Sequence, residues 1–206
     1  MTGKRRGRPP KYDRDTALAQ AAEVFWERGF AATSLDDLAQ AMNMNRPSLY
    51  NAFGDKETLY RQAMAWVDRR LSDQLGTALD TEPDLNRALK AFYDKALTVY
   101  LGRTTPLGCF AICTATAPAP RNEAIRRDLA GIIARVDEAL IRRLQQAQSQ
   151  GAYQASGSVH DIARVLQAVL HSLAVRARAG ESHTALEKIY NAAVDAIVPE
   201  MPPLQN

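Results

Sequence analysis

Two short amphipathic segments joined by a tight turn lie between residues 34 and 53. The first begins at Ser34, which has capping-box spacing with Asp37, and the second begins at Asn45, a favourable N-cap residue. Such a pair of short helices is typical of a helix-turn-helix unit, whose second helix enters the DNA major groove. A helix-loop-helix that binds no DNA has the same spacing, and the pattern alone leaves that alternative open.

The rest of the chain shows the same helical periodicity. Apolar residues recur at helical spacing almost throughout, and no alternating pattern of useful strand length occurs. This predicts an all-α fold whose first helix runs from about Asp13 to Gly29, with Phe30 packed back on its last turn. After the two short helices, six longer ones are predicted at about 56–79, 84–103, 107–116, 121–150, 158–179 and 183–198.

Positive charge is concentrated at the start of the chain. The first fourteen residues include six basic and one acidic residue, a net of +5, so the remaining residues carry −2 of the total +3. A basic segment that cannot bury a core predicts a disordered arm over residues 1–12 that contacts a polyanion. The alternative is a solubilising tail.

Several function classes are disfavoured by what the sequence lacks. No apolar segment follows the arm as in a secretory signal, and no window approaches the roughly 18 apolar residues of a membrane span. The two cysteines, Cys109 and Cys113, lie too close for a disulfide within one helix, a usage that indicates a cytoplasmic protein. The three histidines, His160, His171 and His183, form no metal-ligand pair, and no phosphate loop, nucleophile elbow or Cys-X-X-Cys motif occurs. We therefore expect no metal, no cofactor, no catalytic residues and no enzymatic activity, with thiol catalysis at Cys109 as the remaining enzyme hypothesis.

Three stretches between residues 21 and 59 carry a resemblance to a known family. They are Phe25-Trp-Glu-Arg-Gly-Phe, Thr33-Ser-Leu-Asp-Asp-Leu-Ala and Arg46-Pro-Ser-Leu-Tyr-Asn-Ala-Phe-Gly-Asp-Lys-Glu. They resemble the DNA-binding domain of TetR-family (tetracycline-repressor-like) transcriptional regulators. The resemblance implies a homodimer of about nine helices, with a DNA-binding domain at 13–56 and a ligand-sensing and dimerisation domain at 57–206. It also implies a ligand-responsive regulator, most often a repressor, that a small-molecule effector releases from a palindromic, inverted-repeat operator in double-stranded DNA.

The resemblance assigns DNA contacts by position. The residues that fall on phosphate-contacting and recognition-helix positions are Thr33, Arg46, Ser48, Tyr50, Asn51 and Lys56. Lys56 has physical support, because a cation in the first turn of a helix opposes the helix dipole and a nearby phosphate would reverse that cost. Pro47 and Asn51-Ala52 depart from the commoner residues of the family, so the operator sequence cannot be copied from a relative.

The basic arm contains a second DNA-binding signal. Arg6-Gly7-Arg8-Pro9 resembles the core of an AT-hook, in which Arg6 and Arg8 would lie in a narrow A·T minor groove. The alternative is phosphate contact without sequence preference. A separate functional hypothesis is that the chain is an architectural protein, which would use the same arm to bind A·T-rich DNA without any effector.

The middle helices contain candidates for an effector pocket. A set of aromatic residues and one cysteine could line an apolar cavity with a few polar groups. These candidates are Trp66, Phe92, Tyr93, Tyr100, Cys109 and Phe110. Gly108-Cys109-Phe110 resembles a Gly-Cys-Leu/Phe element of one branch of the family, which includes repressors that respond to electrophiles or oxidants through that cysteine. The alternatives are a thiol sensor at Cys109, and plain core packing of each side chain.

The last two predicted helices have apolar faces wider than one contact requires. They suit a two-fold four-helix interface, which would place two recognition helices about one DNA turn (~34 Å) apart. The predicted interface residues are Leu166, Leu170, Leu173, Leu186, Ile189, Tyr190, Ala193, Val194 and Ile197. The alternative is that these faces close the core of a single protomer.

Overall fold

The computed structural model describes residues 12–155 and 157–198. Within these ranges the chain folds into nine α-helices and one short 3₁₀ helix, with no strand, which confirms the predicted all-α class. The helices are α1 (Arg14–Ala32), α2 (Leu35–Ala41), α3 (Arg46–Phe53), α4 (Lys56–Thr81), α5 (Leu85–Leu101), α6 (Phe110–Ala115), the 3₁₀ helix (Ala119–Arg121), α7 (Glu123–Ser149), α8 (Val159–Arg178) and α9 (His183–Ile197).

The short helices begin at side chains that satisfy free backbone amides. Ser34 and Asp37 form the predicted capping box at α2, and the Asn45 side chain accepts from the backbone amide of Ser48 at 2.8 Å. Gly29, at φ 77°, breaks the helical conformation near the end of α1, and Phe30 then packs on Phe25 as predicted. These local signals fix the entry and exit of the helices that carry the site.

A small bundle of α1, α2, α3 and the start of α4 packs around aromatic and aliphatic side chains. Phe25, Leu38, Leu49 and Phe53 are buried at its centre. The buried residues of α3 are Leu49 and Phe53, with Ala52 partly buried against the same core, while its polar side chains are exposed.

A larger bundle of α4 to α9 follows. The helix α4 packs on α1, α5 and α7, while α5 also packs on α8 and α9, and α6 lies between α1, α7 and α8. Buried Arg143 on α7 donates to the carbonyl oxygens of Leu79, Glu82 and Pro83 at 2.8–3.0 Å, which satisfies the end of α4. Among the described helices, none combines the length and the hydropathy that a membrane span requires.

Candidate DNA-binding surface and effector cavity

The helix α3 presents a polar face away from its core. Tyr50 is 47% exposed, and Arg46, Ser48 and Asn51 are also exposed. Leu49 on the opposite side is fully buried, so the orientation of α3 is fixed by packing rather than by ligand. The face offers guanidinium, hydroxyl and amide groups, the side chains that contact phosphates and base edges in a major groove. Their contact with DNA stays a prediction.

Arg46 is held in place by a carboxylate from α2. Its Nε donates to Asp36 Oδ1 at 2.6 Å, and a second nitrogen bonds the other carboxylate oxygen. Both side chains are more than half exposed, so the pair contributes little to stability. Asp36 therefore neutralises a cation on the same surface that would meet phosphates, and it weakens the positive potential there.

Replacement of Asp36 by Asn is expected to tighten DNA binding roughly three- to tenfold at low salt, because Arg46 is released and one repelling charge is removed. The gain should be similar on any duplex and should shrink as salt rises. Fluorescence anisotropy on two unrelated duplexes measures it. Asp80→Asn is the matched control, because Asp80 lies near the C-terminal end of α4. This variant should leave DNA affinity unchanged.

Lys56 has a partner within the protein that the sequence did not reveal. Its ammonium donates to the carbonyl oxygens of Phe30 at 3.0 Å and Thr33 at 2.9 Å, and lies 4.6 Å from the centre of the Phe30 ring. The Phe30 carbonyl is part of the negative end of α1, so these contacts offset the unfavourable position of Lys56 at the start of α4. The argument from the helix dipole therefore does not require DNA. The third N–H of Lys56 is left for a phosphate, and that contact stays a prediction.

Thr33 differs from the expectation. Its side chain is only 2% exposed, and its hydroxyl donates to the Gly29 carbonyl oxygen at 2.7 Å. The hydroxyl is therefore not available to a phosphate in the described conformation, and contact of Thr33 with a phosphate through another group stays a prediction. Thr33 instead stabilises the end of α1 before α2 begins.

The basic arm, with Arg6 and Arg8, lies outside the described residues. The described chain begins at Tyr12, whose ring packs 5.7 Å from the ring of Phe53 at the end of α3. The Arg14 guanidinium lies 4.9 Å from the same ring. The chain therefore enters the bundle beside the C-terminal end of α3.

Three of the predicted pocket residues lie on one cavity. Tyr100, Cys109 and Phe110 line a space between α4, α5, α6, α7 and α8 whose empty volume, including its mouth, is about 530 Å³. The remaining wall is mainly aliphatic, with side chains such as Val67 and Leu170. The enclosed part of this space is only about 40 Å³, so its apolar character suits a small-molecule site, but its walls must move apart to admit a ligand.

The other three predicted pocket residues are elsewhere. Trp66 lines an outer groove beside Arg70 and Arg103, and Phe92 borders a separate groove between α4, α5 and α7. Tyr93 is fully buried, and its hydroxyl donates to the Leu166 carbonyl oxygen at 2.7 Å. We correct the predicted pocket accordingly, because helical spacing places these rings on faces of α4 and α5 that do not meet the cavity.

The short helix α6 connects this cavity to the DNA-binding bundle. Phe110 lines the cavity and stacks on Tyr60 of α4 at 5.7 Å, and it also makes an edge contact with Trp26 of α1 at 5.4 Å. The Tyr60 hydroxyl shares a 2.7 Å hydrogen bond with the hydroxyl of Thr114 on α6. A displacement of α6 would therefore be transmitted to α1 and α4, on which the smaller bundle is built.

The Cys109 thiol is buried beside Tyr100. Burial raises the pKa of Cys109 to about 11, although amide hydrogen bonds oppose the shift. Burial also raises the pKa of Cys113, despite the nearby Arg178 guanidinium. Both cysteines are free. Since the thiolate is the reactive form, neither cysteine has the environment of an activated nucleophile.

Most of the predicted dimer residues belong to the protomer core. Leu166, Leu170, Leu173, Leu186, Tyr190 and Val194 are buried within a single chain. Only Ile189, Ala193 and Ile197 keep partly exposed surface. The prediction is corrected for the six buried residues, because each helix carries two apolar faces and the wider one closes the protomer.

The narrower apolar face of α8 is exposed. Val165 is 52% and Val175 is 56% exposed, and Ala168, Ser172 and Ala179 continue the same stripe at three- and four-residue spacing. The helix α9 has a neighbouring row of small apolar residues, with Ile189, Ala192, Ala193 and Ala196 accessible. An apolar face of this kind indicates an interaction surface.

The chain matches two family descriptions over most of its length. Residues 17–63 match the bacterial regulatory proteins of the tetR family, and residues 85–193 match the tetracyclin repressor-like C-terminal domain. The HTH-type transcriptional repressor ComR of Escherichia coli is 32% identical over 191 residues, which is 92% of this chain and 90% of ComR. The protein belongs to the TetR family.

Solved structures of TetR-family regulators have the same fold. A cysteine mutant of CifR complexed with a 26-base-pair operator duplex is 30% identical, with a TM-score of 0.85, and the match covers 92% of this chain and 99% of that one. The reduced form of NemR from Escherichia coli is 22% identical, with a TM-score of 0.78 over 93% and 98% of the two chains, and supports the fold. This TetR-family chain is a DNA-binding transcriptional regulator.

Three features of this TetR-family protein were missed from the sequence. Asp36 and Asp68 are carboxylates on surfaces for which the sequence predicted only basic, polar or aromatic groups. Val165 and Val175 were not assigned to the interface. Their exposure is a property of tertiary packing, and their spacing along α8 was the one signal available. Among the described residues, no three metal-ligating side chains come together.

Proposed function

We propose that this protein is a repressor whose homodimer binds an inverted-repeat operator through α3 and is released when a small molecule occupies the cavity beside α6. The proposal follows the names of the relatives: ComR is a transcriptional repressor, and a structure of CifR is complexed with operator DNA. The observation that carries the coupling is Phe110, which forms cavity wall on one side and packs on α1 and α4 on the other.

Recognition is assigned to the exposed face of α3 within a DNA-binding domain at 13–56. Tyr50, Asn51, Ser48 and Arg46 contact base edges and phosphates, Lys56 contacts phosphate with its third N–H, and the arm contributes Arg6 and Arg8 in a neighbouring minor groove. The domain at 57–206 senses the effector and dimerises through the exposed stripe of α8 and the small residues of α9. A protein that binds an operator must be where the DNA is, which in a bacterium is the cytoplasm. This function requires no catalytic residue.

Release is a linkage effect. A ligand that favours a conformation with a different spacing of the two α3 helices lowers operator affinity by its differential affinity for the two states. A hundredfold loss of operator affinity requires about 2.7 kcal/mol of such difference. The buried, protonated Cys109 favours a noncovalent ligand over modification of the thiol.

Selection of bound sequences from a random DNA pool, followed by a screen for compounds that dissociate the complex, tests this function. The expected result is an inverted repeat and at least one releasing compound. An asymmetric half-site bound at full affinity would contradict the dimeric operator. A protein that prefers A·T-rich DNA in general and responds to no compound would be architectural instead.

Tyr50→Ala is expected to weaken binding to the selected operator roughly tenfold, because a base-edge or phosphate contact at the centre of α3 is lost. Binding to an unrelated duplex of equal length should fall much less, which provides an internal control. Tyr50 is exposed, so the circular dichroism spectrum and melting temperature should not change. An equal loss on both duplexes would assign Tyr50 to the backbone rather than to the bases.

A further inference from the structure

One charged side chain lines the cavity. Asp68 on α4 is only 10% exposed and forms part of the cavity wall. The other side chains that the structure places around this space are aliphatic, aromatic or small, apart from Ser72, Tyr100, Cys109 and His171. A carboxylate in such surroundings requires a specific partner, because burial penalises its charge.

The ion-pair partner of Asp68 does not face the cavity. Arg135 on α7 bonds the Oδ2 oxygen, but the guanidinium is half exposed and borders the two flanking grooves rather than the cavity. Among the residues that the structure describes, the Oδ1 oxygen has one hydrogen-bond partner, the Ser72 hydroxyl at a long 3.4 Å. A carboxylate accepts about four hydrogen bonds, so Asp68 has unused acceptor capacity.

The remaining polar groups of the cavity do not balance this charge. Burial raises the pKa of Tyr100 well above its ordinary value and that of Cys109 to about 11, so both are neutral. Burial lowers the pKa of His171, with Asp137 opposing the shift, so the imidazole is also neutral at pH 7.5. Asp68 is therefore the acidic side chain of this cavity wall, and its Arg135 partner faces the neighbouring grooves.

We infer that the effector is a hydrophobic amine or other organic cation, whose positive group binds Asp68 and whose apolar body lies against Phe110 and Tyr100. A cation near aromatic faces gains further attraction from their quadrupoles. An anion of the same shape meets a buried negative charge and is rejected. This inference rests on the proposed role of the cavity as the effector site, and it identifies the chemical class that the site selects.

Three compounds with one ring system test the inference. Isothermal calorimetry on the intact protein, without DNA, at pH 7.5 compares 1-naphthylmethylammonium, 1-naphthalenemethanol and 1-naphthoate. The ammonium compound should bind at least about tenfold more tightly than the alcohol, and the carboxylate more weakly than either. Asp68→Asn should reduce the preference for the cation to within about twofold, and Asp68→Glu should retain most of it.

Asp128→Asn is the matched control. Asp128 is also a carboxylate paired with an arginine, Arg61, but it borders the outer groove between α4 and α7 and not the cavity. This variant should keep the cation preference. Equal binding of the three compounds, or a preference that survives Asp68→Asn, would overturn the inference while leaving the cavity as effector site. Failure of all three to bind would overturn both.

Discussion

Removal of residues 1–11 is expected to lower operator affinity by roughly one to three orders of magnitude at moderate salt. The truncation removes five positive charges, Lys4, Arg5, Arg6, Arg8 and Lys11. Each cation that neutralises a phosphate releases a counterion, so the dependence of affinity on salt should become weaker as well. Affinities of the full-length and truncated proteins on the selected operator, at matched salt concentrations, measure both effects.

The helices should be unaffected by this truncation. The shortened chain keeps Tyr12, which packs on Phe53, and Asp13, whose side chain accepts from the Thr16 amide at 2.7 Å and caps α1. The melting temperature and dimeric state should therefore match those of the full-length protein. A loss of structure would make the affinity measurement uninterpretable, and the melting curve excludes it directly.

A matched pair of double variants separates minor-groove contact from general attraction. Arg6→Ala with Arg8→Ala and Lys4→Ala with Lys11→Ala each remove two charges, but only the first alters the AT-hook core. Both should reduce the salt slope by about two. Only the first should abolish a preference for A·T-flanked over G·C-flanked operators, since a narrow groove attracts arginine. Identical losses of affinity on both flanks would mean that the arm attracts DNA without sequence preference. No loss of affinity would mean that the arm does not contact DNA.

The order and type of the helices followed from local signals. Ser34 with Asp37 and Asn45 were identified as caps because a cap depends on residues within one turn, and Gly29 because a positive φ favours glycine. The burial of Leu49 and Phe53, and hence the outward direction of Tyr50, followed from helical periodicity. The polar face of α3 was predictable for this reason, although no DNA is needed to form it.

The predictions that were corrected depend on which helices meet. Leu170 and Tyr190 were predicted to form the dimer interface, yet they lie in the protomer core, because periodicity shows that a face is apolar and not what covers it. Tyr93 was assigned to the cavity, yet its hydroxyl bonds α8. For Lys56 only the supporting reason changes, because carbonyl oxygens 23 and 26 residues away in sequence also offset its position, while its phosphate contact stays a prediction. Such contacts are set by tertiary packing.

Gly108→Ala is expected to destabilise the protein by about 3 kcal/mol or more. Gly108 has φ 67°, a left-handed conformation that costs a residue with a Cβ about 1–2 kcal/mol. A Cβ at this position would also lie 2.2 Å from the Ala174 carbonyl oxygen and 2.9 Å from Cys113 Sγ. The Ala174 carbonyl belongs to the backbone of α8 and cannot rotate out of the way as a flexible side chain could. The loop before α6 must therefore move away from α8.

The displacement would break contacts that join four helices. The adjacent Leu107 carbonyl oxygen accepts from Trp26 of α1 at 3.2 Å and from Arg178 of α8 at 3.0 Å, while the Gly108 amide donates to the Tyr100 carbonyl oxygen of α5 at 3.3 Å. Movement of this loop also moves Cys109 and therefore the wall of the cavity. Effector binding should weaken along with stability.

The same substitution in a helix should have the opposite sign. In Gly76→Ala, within α4, the new Cβ has no atom within 4 Å, and alanine is favoured over glycine in a helix by about 0.5–1 kcal/mol. At equal protein concentration, thermal unfolding should show a melting temperature lowered by roughly 6–12 °C for Gly108→Ala and raised by a few degrees for Gly76→Ala. If Gly108→Ala melted with the unsubstituted protein, the loop would be free to shift, and α6 would not be held firmly enough to carry a signal from the cavity to α1 and α4.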